Sequence, residues 1–241
     1  MSAAASAKAL GRPTAVQEAI GVWALSFAAI IVTFVTFPAY AKLVATVSFL
    51  YLPLWAMGRR GEDHRDYGVT LSRWREDLKL VLVMCAIVAP LFVAGFVGFG
   101  HLLQALPEAW ARHLSPLQGT MQFQPRLPAR FGEWVVDQLF VVALPEEFFY
   151  RGFLQTRLKD AWPRGIRIFG IRVGPAFLLT AVLFALGHLA IFQVWRLGVF
   201  FPALLFGWMR ERTGTVAGAA LFHAFCNLFE LVLEASFYGR G

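Results

Sequence analysis

Residues 80–103 read LVLVMCAIVAPLFVAGFVGFGHLL, a run without one Asp, Glu, Lys or Arg. A bilayer's hydrocarbon core is about 30 Å thick and is crossed by about 20 apolar helical residues. This run is long enough. It must also be helical, because a backbone group left unpaired in lipid finds no water. Working outward, comparable runs at 21–38, 40–57, 133–150, 175–195, 198–209 and 215–238 predict further helices. Those at 40–57 and 198–209 are short, which allows a tilted or re-entrant helix at either. The alternation that marks a membrane barrel is absent, as is any internal repeat. The expected fold class is an all-α polytopic transmembrane helical bundle of about seven spans, with six to eight allowed.

Composition agrees. Of 241 residues, 58% are hydrophobic and 15% charged, whereas a soluble domain is about 25% charged. A soluble globule, a disordered chain and a fibrous protein are excluded. Cys85 and Cys226 both sit inside apolar runs, so neither a CxxC knuckle nor a disulfide framework is available. Lys8 and Arg12 precede the first run, and Ala39-Tyr40-Ala41 resembles a cleavage site. The run exceeds the roughly 7–15 residues of a signal h-region, and apolar sequence follows at once, which predicts an uncleaved span.

Orientation follows from the cations, which concentrate in cytoplasmic loops. With the N-terminus in the cytoplasm, only Lys42, Arg112, Arg126, Arg130, Arg196 and Arg240 of the 22 Lys and Arg fall outside. The chain is therefore expected in a bacterial inner (cell) membrane, N-terminus in and C-terminus out. Topology alone accounts for the net charge of +7, so no nucleic-acid partner is needed. The basic loop 58–79 also carries Glu62, Asp63, Asp66, Glu76 and Asp77. It reads as a solvated loop, with anionic-lipid binding as the lesser reading.

An ionisable group inside a spanning helix costs at least about 2.5–3.5 kcal/mol and marks function. Three clusters stand out. The first is Pro145-Glu146-Glu147-Phe148-Phe149-Tyr150-Arg151-Gly152. Glu147 and Arg151, four apart, share a helix face and predict an ion pair. Glu146 lies about 100° round from Glu147 and is left to face a cavity. The second is His188, in Phe184-Ala185-Leu186-Gly187-His188. The third is His223 with Asn227, again one turn apart, with Glu230 continuing the stripe. Each taken alone has a bland reading: a helix end among headgroups, a packed histidine, a polar contact gluing helices. Together they satisfy one another better than lipid could and predict one wet intramembrane cavity. His64, His101 and His113 lie in or near loops and carry no such burden.

No Gly-x-Ser-x-Gly elbow, paired-Asp span motif or His-Glu-x-x-His helix is present. What remains is a carboxylate, two imidazoles and an amide. Glu146 is suited to activating water, with His188 orienting it. His223 and Asn227 are suited to donating to an oxyanion. Two His and a Glu are also a possible Zn²⁺ ligand set, and this alternative stays open at the level of the residues.

Glu146-Glu147-xxx-Arg151, Phe184-xxx-His188 and His223-xxx-Asn227 resemble, in order and spacing, the CPBP family of CAAX proteases and bacteriocin-processing proteins, also called Abi or Rce1-like. The similarity covers about residues 135–230, and the three motifs are specific only in combination. The resemblance implies a glutamic-type intramembrane endopeptidase with catalytic Glu146, His188, His223 and Asn227 and supporting Glu147 and Arg151. It implies no metal or other cofactor. Its substrate would be a membrane-anchored protein or peptide cut near the C-terminus, and its other partner the lipid bilayer. Residues 1–130 carry no matching motif and read as N-terminal membrane helices with a basic cytoplasmic loop. Residues 131–241 read as the catalytic membrane core of one integrated bundle. Glu146 falls near the cytoplasmic end of its span and His188 nearer mid-membrane. A helix running past Arg151, or a bent one, reconciles them and predicts a site opening toward the cytoplasm. Other readings are a non-catalytic immunity or scaffold protein, and a small transporter with a Glu/His proton relay, though no repeated halves support the latter.

Overall fold

The computed structural model describes residues 14–117 and 119–239. Lys8, Arg12 and Arg240 of the charge count lie outside the described residues. Helix α1, Ala15–Thr36, starts at a capping box in which Gln17 N–H donates to Thr14 Oγ1 and Thr14 N–H to Gln17 Oε1. A 3₁₀ turn, Pro38–Tyr40, leads to α2, Ala41–Arg60, which ends where Gly61 takes φ +70°. That left-handed conformation suits glycine. The apolar run that decides the fold lies inside α3, Trp74–Ala105, followed by the short α4, Glu108–Leu114.

Helix α5 spans 131–161 without leaving right-handed geometry. Its α segments are Phe131–Val136, Leu144–Glu147 and Gln155–Ala161, joined by π-helical stretches Asp137–Ala143 and Phe148–Leu154. After it come strands β1, Ile166–Ile168, and β2, Ile171–Val173. Helices α6, Pro175–Gly187, α7, Phe200–Thr213, and α8, Ala217–Tyr238, complete the bundle.

The all-α membrane bundle is as expected. By length and composition, Ala15–Thr36, Pro38–Arg60, Trp74–Ala105 and Ala217–Tyr238 can each cross a membrane. The expected run 175–195 is not one helix. Helix α6 has 13 residues, about 20 Å at 1.5 Å per residue, and 3₁₀ turns at His188–Ile191 and Val194–Val199 join it to α7. His188 is thus at a helix end rather than mid-span. The physical cause is local: its ring Nδ1 lies 2.9 Å from Phe184 O, taking one of the carbonyls that a helix end leaves unpaired. The hairpin β1–β2 was not foreseen either. Its register pairs Ile166 with Val173 and Ile168 with Ile171. Phe169 and Gly170 at its tip both have positive φ, the geometry of a type I′ turn.

Helix α8 packs on α3, α5 and α7, while α1 packs on α2 and on the far end of α5. The densest core surrounds the second half of α5, where Phe149, Phe153, Leu154 and Leu158 have no exposed surface. The segment before α5 finishes α8, since Gln122 and Gln124 N–H donate to Phe237 and Ser236 carbonyls at 3.0 and 2.8 Å.

Pro145 has no N–H, so the Val141 carbonyl four residues back loses its helical donor. Thr46 on α2 supplies one, its hydroxyl 2.8 Å from Val141 O. Thr46→Val is therefore expected to destabilise the protein by about 1 kcal/mol, the net worth of one hydrogen bond. Unfolding in detergent micelles would measure it, and a variant as stable as the wild type would show that the freed carbonyl needs no partner.

Candidate active site

The two adjacent carboxylates sit in the four-residue α segment Leu144–Glu147, between the π-helical stretches. Such stretches are rare and recur at functional sites. The expected ion pair is present. Arg151 Nη1 donates to Glu147 Oε1 at 2.9 Å, with both side chains fully buried. Packing places Arg151 in the core. Its Nη2 donates to Ala203 O on α7 at 3.0 Å. The guanidinium lies 4.3 Å from the Phe184 ring centroid and 5.1 Å from that of Phe206, contacts in which a ring face attracts a cation.

His223 reaches across from α8. Its Nδ1 donates to the same Glu147 oxygen at 2.9 Å, and its Nε2 is 4.0 Å from Glu146 Oε2. The ring stacks on Phe206, with centroids 4.7 Å apart. Glu147 is thus held from both sides. Glu146 has no hydrogen bond to Oε2, and Glu147 none to its own Oε2, although both atoms are buried. His188 lies within electrostatic reach of Glu146 and His223. With Nδ1–H on Phe184 O, the neutral ring leaves Nε2 as a lone pair. Asn227 is one step removed: its Nδ2 donates to Gln138 Oε1 at 2.9 Å.

Sequence reading missed the groups that extend this site in both directions. Gln138 Nε2 donates to Asp137 Oδ2 at 3.1 Å, and Asp137 accepts from Lys42 on α2 at 2.6 Å. On the other side, Gln155 Nε2 and Lys159 Nζ donate to the two oxygens of Glu211 at 3.0 and 2.6 Å. Arg151, Gln155 and Lys159 thus meet Ala203 and Glu211 along one α5–α7 seam. The i,i+4 spacing continuing from Glu147 was the available signal for Gln155 and Lys159. For Gln138 there was none, because its partner is 89 positions away.

Gly187 earns its place by packing. A Cβ there would collide with the Tyr150 hydroxyl, whose ring meets Phe184 edge-on at 5.0 Å. Trp23 of α1 donates to Leu183 O at 3.1 Å and closes the same corner.

From Phe148 to Gln155, on the Lys159 side of the two carboxylates, every residue of α5 is buried. The polar groups lead the other way, through Asn227, Gln138 and Asp137, and His188 borders the part-exposed 3₁₀ segment 188–199. Among the described residues, no three His, Cys, Asp or Glu side chains are grouped as a metal-ligand set.

Residues 131–229 match a family model described as "Type II CAAX prenyl endopeptidase Rce1-like". No curated protein and no solved structure matches the chain. The matched segment contains every one of the clustered side chains, from Gln138 to Asn227. Residues 131–229 of this membrane protein are thus similar to the Rce1-like type II CAAX prenyl endopeptidases.

Proposed function

We propose that the chain hydrolyses a peptide bond near the C-terminus of a membrane-anchored protein by a glutamate-activated water, without a metal. The supporting observation is the buried Glu146 Oε2, which has no hydrogen bond and lies 4.0 Å from His223 Nε2. Glu147 is ion-paired with Arg151, whereas Glu146 Oε2 has no hydrogen-bond partner.

In this reading Glu146 takes a proton from water, and the resulting hydroxide attacks the scissile carbonyl. His188 accepts a hydrogen bond from the same water at Nε2. As the carbonyl oxygen becomes an oxyanion, His223 Nε2–H and the second Asn227 amide hydrogen donate to it. Donation by both ring nitrogens requires His223 as an imidazolium between the Glu147 and Glu146 carboxylates. Glu146 then returns its proton to the leaving amine, restoring the site. Glu147 and Arg151 hold His223 at the right angle. Residues 131–241 carry the chemistry, and 1–130 complete the bundle around it. The excess of Lys and Arg in alternate loops supports an N-terminus in the cytoplasm, here of a bacterial inner membrane, with the polar path described above leading to the opposite face.

The test is cleavage of a membrane-tethered reporter carrying a C-terminal tail. Asn227→Ala is expected to lower kcat by about 10²–10³-fold, the usual cost of one oxyanion donor. A membrane-permeant chelator is expected to leave the wild-type rate unchanged. Loss of activity on chelation, restored by Zn²⁺, would replace this mechanism with a metal-dependent one.

A further inference from the structure

We propose that the groove between the N-terminal half of α1 and the C-terminal half of α2 binds one anionic phospholipid. Its phosphate would sit at Arg59, and an acyl chain would run along Val22, Leu25 and Leu52. The groove encloses about 340 Å³, within the roughly 300–1,000 Å³ of small-molecule sites. Gly21 forms part of its floor, and a Cβ there would meet nothing within 4 Å. The walls are apolar toward the membrane interior, and the mouth is charged.

Charge decides which lipid fits. Arg60 is committed, to Glu18 at 3.2 Å and Glu62 at 2.7 Å. Glu18 is shared with Arg157 at 2.9 Å. Burial raises the Glu62 carboxyl, but hydrogen bonds from Arg60 and Tyr67 hold it below the usual carboxylate range, so these charges neutralise one another. Arg59 is left over: among the described residues it has no carboxylate within ion-pair distance, and its guanidinium lies 4.8 Å from the Trp55 ring centroid. Trp beside Arg at a helix end marks headgroup depth. One unmatched cation over an apolar slot complements one phosphodiester with its chain. The leaflet on the basic-loop side, when anionic, supplies that chemistry.

The experiment uses the full chain, delipidated in a non-ionic detergent and titrated with dioleoylphosphatidylglycerol, dioleoylphosphatidylcholine or glycerol 1-phosphate. Phosphatidylglycerol is expected to raise Tm by several degrees, as a ligand of the folded state does. Phosphatidylcholine should act more weakly, and glycerol phosphate not at all. Arg59→Gln should raise the half-saturating phosphatidylglycerol concentration about fivefold, the scale of one cation near an anionic headgroup. Gly21→Leu, which fills the slot from an open position, should abolish the shift. Phosphatidylglycerol with brominated chains should quench wild-type fluorescence more than that of Trp55→Phe. Equal stabilisation by both lipids would mean unselective filling and overturn the proposal, as would an undiminished shift in both the Arg59 and Gly21 variants. None of these readouts depends on proteolysis.

Discussion

Glu146→Gln is expected to abolish cleavage of a tethered reporter while leaving the protein folded and inserted. General bases contribute about 10²–10⁴-fold, so a fall of at least about a hundredfold in kcat should follow. The substitution keeps the shape and removes only the basicity. Its structural cost is small because Glu146 Oε2 has no hydrogen bond to lose, and removing one of two adjacent negative charges relieves repulsion. The neighbouring Glu147→Gln is the contrasting case. Its Oε1 accepts from both Arg151 and His223 at 2.9 Å, so stability should fall together with activity. Measured kcat and Tm for the two variants separate base from support. Full activity in Glu146→Gln would remove that carboxylate from the reaction.

Arg151→Met is expected to be the most damaging single change to stability. Removing one partner of a buried ion pair costs about 3–5 kcal/mol because the other charge stays buried alone. Here the orphan would be Glu147, whose side chain has no exposed surface, and Ala203 O would lose its donor too. Total stabilities are about 5–15 kcal/mol, so the variant is expected in reduced folded yield at ordinary temperature. The double variant Glu147→Gln/Arg151→Met should regain much of the loss, since replacing a whole buried pair with apolar or neutral groups is often close to neutral. Unfolding in micelles across this cycle gives the coupling. A cost below about 1 kcal/mol for Arg151→Met would show that neither the buried pair nor the Arg151–Ala203 hydrogen bond to α7 contributes much to stability.

The membrane fold was legible because hydrophobicity and run length are properties of contiguous sequence. Residues 80–103 announce a helix whatever surrounds them. The Glu147–Arg151 pair was legible for the same reason, since four residues on a helix fix a common face. Where the reading failed, something non-local or finely balanced intervened. A thirteen-residue α6 ending at Gly187 looks, by composition, like a longer span. Two apolar strands with Phe169-Gly170 between them look like more hydrophobic sequence until they pair. The burial of α5 beyond the carboxylates depends on its packing against several other helices, and counting cations in loops does not reveal it.

By itself, then, the chain of residues determined a helical membrane protein, a set of polar side chains too costly to face lipid, and the Glu147–Arg151 salt bridge, whose partners share a helix. Tertiary structure decided that Glu147 is shared by Arg151 and His223, that Asn227 leans on Gln138, and that Thr46 replaces the donor missing at Pro145. The reason is geometric. A hydrogen bond is made or lost over a few tenths of an ångström, and partners on different helices acquire that closeness only when the whole bundle has packed.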